Sequence, residues 1–120
     1  MKALVFIAHG SKKKLSNQEF ISMVNSIKQK DKNYDFIEAS FLELAIPDIK
    51  SCSETLIKKG VQKIYYYPFF LNSGRHVVSD IPYIIEELKL QYTNIEFELL
   101  KHFGSSKFIE EIIIKDISKI

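Results

Sequence analysis

The sequence predicts a single α/β domain of the flavodoxin type over residues 1–120, a four-stranded parallel sheet with helices on both faces. Three observations predict it. Four short apolar runs alternate with four segments of helical period, and this order of strand and helix calls for parallel strands joined by right-handed crossovers. The first run, Lys2 to Ala8, shows no alternation of polar and apolar residues, as expected for a parallel strand covered on both faces. A chain of 120 residues with 46% apolar composition can build one core and is too short for two.

After the first strand come His9-Gly10-Ser11 and then Ser16 with Glu19, which reads as a capping box. Phe20, Met23, Val24 and Ile27 follow at the spacing of one helical face. Tyr34 to Leu42 reads as the second strand. Pro47-Asp48 opens the second helix, with Pro in its first turn and Asp near the positive end of the dipole, and Gly60 closes it. Val61 to Tyr67 is rich in aromatic and β-branched residues and reads as an interior third strand stopped by Pro68. Gly74 permits a backbone turn with a positive φ, and the third helix is expected to run from near Ser79 to Leu90, with Ile81, Ile84, Ile85 and Leu88 on one face. Ile95 to Leu100 is the fourth strand, and Ser105 or Ser106 is expected to cap a last helix running towards Ile117. That helix is apolar over more than the ~100° stripe of a one-sided surface helix. It either packs deeply between sheet and neighbours or offers a subunit contact.

A formal net charge of +2, with one dense basic cluster at Lys12-Lys13-Lys14, gives no reason to expect a nucleic-acid partner. Cys52 is the only cysteine, which excludes an intrachain disulfide, a CxxC redox pair and a cysteine-ligated iron–sulfur cluster. Its spacing from Ile49 and Leu56 makes it a small core residue of the second helix. The first apolar run falls far short of the ~18 residues of a membrane span and lacks a signal-peptide cleavage region. No membrane partner and a cytoplasmic location are expected.

The three histidines all fall just beyond expected strands: His9 after the first, His76 after the third, His102 after the fourth. Glu43 follows the second. A parallel sheet presents the carboxyl ends of its strands on one edge, so residues scattered in sequence can face one crevice there. Imidazole is a borderline ligand for late first-row divalent ions and takes up protons, while a carboxylate adds charge and a second acceptor. Read from the residues alone, Glu43 can equally cap the following helix. Arg75 and the lysine cluster flank the same edge and suit an anionic ligand. Phe69, Phe70 and Leu71 are either core or the wall of a pocket.

Taken together, these motifs resemble the class II chelatases that insert a metal into sirohydrochlorin, in their short, single-module cobaltochelatase and ferrochelatase form. The resemblance rests on Ala8-His9-Gly10-Ser11 with Asn17 and Phe20, on Phe41-Leu42-Glu43-Leu44-Ala45 with Pro47, and on Tyr67-Pro68-Phe69-Phe70-Leu71 with Gly74, His76, Val77 and Asp80-Ile81-Pro82. Order and spacing agree over roughly the first 90 residues, and the C-terminal quarter is only loosely similar.

The resemblance implies a chelatase-like fold, with His9 and His76 as the active-site histidines and Glu43 as their acidic partner, all three holding metal and moving protons. It places Ser11, Phe70, Ser73, Gly74 and Arg75 around the tetrapyrrole. It implies Co²⁺, Fe²⁺ or Ni²⁺ as a substrate metal with no further cofactor, and a homodimer whose second copy completes the cleft. The alternative is a non-catalytic carrier of metal or tetrapyrrole, which would use the same histidines without accelerating insertion.

Overall fold

A computed structural model describes residues 1–118. Its strands are β1 (Lys2–Ala8), β2 (Phe36–Phe41), β3 (Lys63–Pro68) and β4 (Glu96–Leu99), and its α-helices are α1 (Lys14–Lys30), α2 (Ile49–Lys58), α3 (Ile81–Gln91) and α4 (Ile109–Ile117). All strand pairs are parallel, in the order β2-β1-β3-β4. The expected four-stranded parallel sheet is therefore present. The order doubles back at β1, and the adjacent carboxyl ends of β1 and β3 form the switch point where open α/β sheets bind ligands.

Alternation along β1 divides the core. Ala3, Val5 and Ile7 pack with Ile49, Cys52 and Leu56 of α2 and Ile81, Ile85 and Leu88 of α3. Leu4 and Phe6, on the other face, pack with Phe20 and Val24 of α1. Each Val, Leu, Ile or Phe side chain among them contributes about 1.5–3 kcal/mol on burial. Tyr66 is fully buried on the α2 side, where its hydroxyl meets Ser53 Oγ at 2.6 Å, and Ser53 Oγ donates in turn to the Ile49 carbonyl at 2.7 Å. Among the described residues no helix is long and apolar enough to cross a membrane.

Several element ends differ from expectation for local reasons. The capping box does not form. α1 starts at Lys14, which puts Ser16 inside the first turn, and Lys13 at the N-cap makes no side-chain cap. β2 stops short of both expected ends, although Asp35 N–H still donates to the Lys2 carbonyl and Leu42 N–H to that of Ala8. In α2, Pro47 lies outside the first turn and Asp48 is the N-cap, accepting from Ser51 N–H at 2.8 Å. Gly60 does close α2, at φ +96°, with Gly60 N–H to Ile57 O and Val61 N–H to Leu56 O.

β3 begins two residues later than expected and includes Pro68, which pairs with Ile7. Phe69 N–H donates towards β1, so the nitrogen of Pro68 faces the β4 side, where the strand has already ended at Leu99. No ladder bond is lost there. Gly74 does not have a positive φ. The chain instead enters helix early, through a π turn at His76–Asp80 whose bond from Ile81 N–H reaches the His76 carbonyl and which runs straight into α3. Neither Ser105 nor Ser106 caps α4. Phe103–Ser105 is a short 3₁₀ turn and Phe108 is the N-cap. α4 does not pack deeply either: it has no buried residue.

Candidate metal centre

The β1–β2 ladder runs two residues beyond the strands. Leu42 N–H donates to the Ala8 carbonyl at 2.8 Å and Glu43 N–H to the His9 carbonyl at 3.0 Å. His9 and Glu43 are thereby neighbours through their main chains before their side chains meet. Gly10 makes this possible. At φ +97°, a Cβ on it would lie 1.7 Å from the Glu43 carbonyl oxygen, so only glycine lets the two loops come this close. Leu44 follows at φ 66°, a left-handed turn that carries the chain away from the edge. Asn17, on α1, clamps the first loop by accepting from Ser11 N–H at 3.0 Å and donating to the Ser11 carbonyl at 2.7 Å.

The imidazoles present the same atom. His9 Nδ1–H donates to the Gly10 carbonyl at 3.0 Å, and because a carbonyl only accepts, this assigns the ring proton to Nδ1 and leaves the Nε2 lone pair free. His9 Nε2 then faces Glu43 Oε2 at 3.0 Å. Two lone pairs meet there, a contact that is favourable only with a cation, either a proton or a metal ion. His76 Nδ1 lies 2.8 Å from Asp80 Oδ2, one helical turn away, which also turns its Nε2 outwards. The two rings lie with centroids 4.7 Å apart at 56°. One ligand atom each from His9, Glu43 and His76 falls within 4.8 Å of the others. Two imidazoles and a carboxylate suit a late first-row divalent ion and leave coordination positions open.

The structure thus brings together three of the four residues expected at this edge. His102 is not one of them. It caps the 3₁₀ turn after β4 and lines a separate hollow with Tyr67, Leu100 and Lys101, because β4 is the outer strand and does not neighbour β1. Glu43 caps no helix, that position belonging to Asp48. Ser11 is half-buried and holds its loop by accepting from Lys13 N–H with Oγ. Phe70 packs against the α2–α3 side of the core with its ring centroid 6.4 Å from that of His76, Phe69 stacks on Phe20 on the opposite face, and Leu71 is exposed. Ser73, Gly74 and Arg75 are exposed on the way into the π turn.

Four residues, Asp80, Gly10, Leu44 and Ile46, were given no role at this edge from the sequence. Asp80 sits at helical spacing from His76, a signal visible only if the helix is started at His76. Gly10 needs the fold to reveal its close approach. Leu44 and Ile46, 54% and 87% exposed, give the loop carrying Glu43 an apolar rim.

Comparison with known proteins places this geometry in context. The model of the CbiX family matches residues 3–120, including the C-terminal quarter where the sequence motifs are loosest. The chain is 26% identical over 110 residues to the chloroplastic sirohydrochlorin ferrochelatase of Arabidopsis thaliana, covering 92% of this chain and 48% of that one. It is 27% identical over 120 residues to the sirohydrochlorin cobaltochelatase of Sulfurisphaera tokodaii, covering 100% of this chain and 94% of that one. The cobalt complex of the sirohydrochlorin chelatase SirB from Bacillus subtilis subspecies spizizenii superposes with a TM-score of 0.87 at 27% identity, over 99% of this chain and 50% of that one. The chain spans less than half the length of several curated relatives it matches.

Proposed function

The chain belongs to the CbiX family, and from that premise we propose that it inserts a divalent metal, Co²⁺ or Fe²⁺, into sirohydrochlorin. The observation that carries the reading is the cluster of His9, Glu43 and His76, with its ligand atoms within 4.8 Å of one another at the β1/β3 switch point. In this reading both Nε2 atoms hold the incoming ion on one side of the macrocycle. As the ion passes to the ring nitrogens, the two displaced N–H protons go to the Glu43 carboxylate and to an imidazole released from the metal. Charge balances without any change of oxidation state, so no redox cofactor is called for.

The apolar rim and Phe70 lie against the flat ring, and Arg75, Ser73, Ser11 and the main chain at Gly74 reach its peripheral carboxylates. The expected homodimer and cytoplasmic location belong to the same reading and are checked by light scattering and cell fractionation. The decisive experiment follows the visible spectrum of sirohydrochlorin with Co²⁺ or Fe²⁺. Catalysed insertion, lost in His9→Ala and in His76→Ala, is the expected result. Tight binding of metal and ring with no acceleration over the spontaneous rate would replace the enzyme with a carrier.

A further inference from the structure

The carboxyl edge of the sheet carries a second concentration of polar side chains, beside the metal cluster and separate from it. A hollow of about 430 Å³ opens beyond the ends of β3 and β4. Leu100 aside, its lining is Tyr67, Lys101, His102, Ser105, Ser106 and Lys107. No acidic residue lines it, so two ammonium groups and an imidazole face a space without counter-charge from the protein.

The donors there are largely free to engage a ligand. Ion pairs among the described residues engage Lys28, Lys63 and Lys89 and leave Lys101 and Lys107 without a carboxylate partner. Lys107 Nζ rests over the Phe108 ring, 5.4 Å from its centroid. The His102 ring, unlike those of His9 and His76, has no hydrogen-bond partner among the described residues. Ser106 Oγ accepts from Phe108 N–H at 3.2 Å, which leaves its own proton to give, whereas Ser105 Oγ is committed to the His102 carbonyl at 2.7 Å. Burial raises the Tyr67 hydroxyl above its ordinary 10.0 and keeps it a donor.

This segment is fixed to the root of the loop that bears His76. Gly104 N–H donates to the Phe70 carbonyl at 2.9 Å, and a Cβ at Gly104 would lie 1.6 Å from the Leu71 carbonyl oxygen, so the turn is seated directly on that loop. The Phe103 ring lies 5.1 Å from that of Phe69, and the Phe70 ring 6.4 Å from that of His76. Neighbouring strands are about 4.8 Å apart, so across the sheet the hollow at β3 and β4 is about one strand spacing from the cluster at β1 and β3. A flat macrocycle centred on the cluster reaches that far with its arms.

We propose that the hollow is a carboxylate subsite, taking one peripheral carboxylate arm of the tetrapyrrole while the ring lies over His9 and His76. The proposal rests on the metal-insertion reading and deepens it. A metal held at the centre of the ring leaves the ring free to turn in its own plane. An arm anchored off-centre stops that rotation and selects which ring nitrogens meet the ion. Lys101 and Lys107 supply the charge, and His102, Ser106 and Tyr67 supply directed donors. His102 thereby serves the same substrate as the other two histidines without touching the metal.

The test measures binding of metal-free sirohydrochlorin by its visible absorption, so that no turnover enters. Lys101→Gln with Lys107→Gln should raise Kd about tenfold or more, and Lys101→Arg with Lys107→Arg should restore most of the loss. Lys30→Gln with Lys32→Gln, at the opposite edge of the sheet, removes the same charge and should change Kd less than about twofold. Equal weakening by both glutamine pairs would reduce the effect to general attraction and overturn the subsite. A wild-type Kd in Lys101→Gln with Lys107→Gln would overturn the subsite and leave metal insertion standing, whereas no binding to the wild-type chain would overturn both. As an independent arm, the His102 ring protons should shift in the NMR spectrum when sirohydrochlorin is added. Citrate or inorganic phosphate shifting them while sirohydrochlorin leaves them in place would assign the hollow to a free anion and overturn the proposal.

Discussion

Asp80 Oδ2 lies 2.8 Å from Nδ1 of His76, four residues and one helical turn earlier. The carboxylate accepts the ring proton, fixes which nitrogen is free and holds the ring plane. Asp80 touches neither metal nor substrate in the proposed reaction and acts through His76 as a positioning residue. Asp80→Ala should lower the insertion rate about 10–100-fold, the usual cost of losing such a partner, with the loss in kcat rather than KM and with little change in melting temperature. Asp80→Glu should recover part of it. A wild-type rate in Asp80→Ala would remove the positioning role.

Gly10 and Gly74 make a matched pair. A methyl group on Gly10 collides with the Glu43 carbonyl and must also adopt φ +97°, whereas one on Gly74 meets nothing within 4 Å and no positive φ. Gly10→Ala should destabilise the chain by about 2 kcal/mol or more in urea denaturation and separate His9 from Glu43, weakening metal binding as well. Gly74→Ala should change stability by less than about 0.5 kcal/mol. Equal effects at the two positions would contradict the loop geometry.

Metal binding can be tested without the tetrapyrrole. Anything that binds only the folded chain raises its melting temperature, by the equivalent of about 2.7 kcal/mol at a free concentration 100 times Kd. Co²⁺ should therefore raise the melting temperature of the wild type, and chelator should reverse the shift. The His9→Ala, His76→Ala double variant should show no shift. A retained shift would place the ion elsewhere.

Burial pushes the Cys52 thiol from its ordinary 9.0 up to about 12, with Glu38 and Asp48 adding to the rise and Lys59 opposing it. The folded form thus keeps a proton that the unfolded chain releases. This contribution to stability is whole below pH 9 and falls as the pH climbs from 9 towards 12, by at most about 1.4 kcal/mol per pH unit. Urea midpoints should fall between pH 9 and 10, before the similarly raised Tyr66 joins in above 10. Cys52→Ala, lower at the start for lost packing, should show a shallower fall. Parallel slopes would show that the thiol is not the cause.

Much of the site was legible because strand ends are legible. An apolar run that stops at Ala8 puts His9 on the carboxyl edge, and the same argument places Glu43 and His76. The surroundings of His76 were not: the expected helix began near Ser79, which put Asp80 inside it and His76 in the loop ahead, so the pairing of the two across the π turn went unread. His102 obeyed the same rule as the others, but sequence does not say which strand lies outermost. For α4 the sequence left deep packing and subunit contact both open, and the fold removes the first by leaving the helix exposed.

The register of β2 on β1, Ala3 against Phe36 through Ala8 against Phe41, is the ruler from which Glu43 is measured off beside His9. A slip of one residue would bring Leu42 or Leu44 to that place and leave the imidazole facing an aliphatic chain. The chemical identity of the edge is therefore encoded along the whole length of two strands. Substitutions at Ile37 or Phe41, buried on the α1 face, bear on the chemistry to the degree that they loosen that alignment.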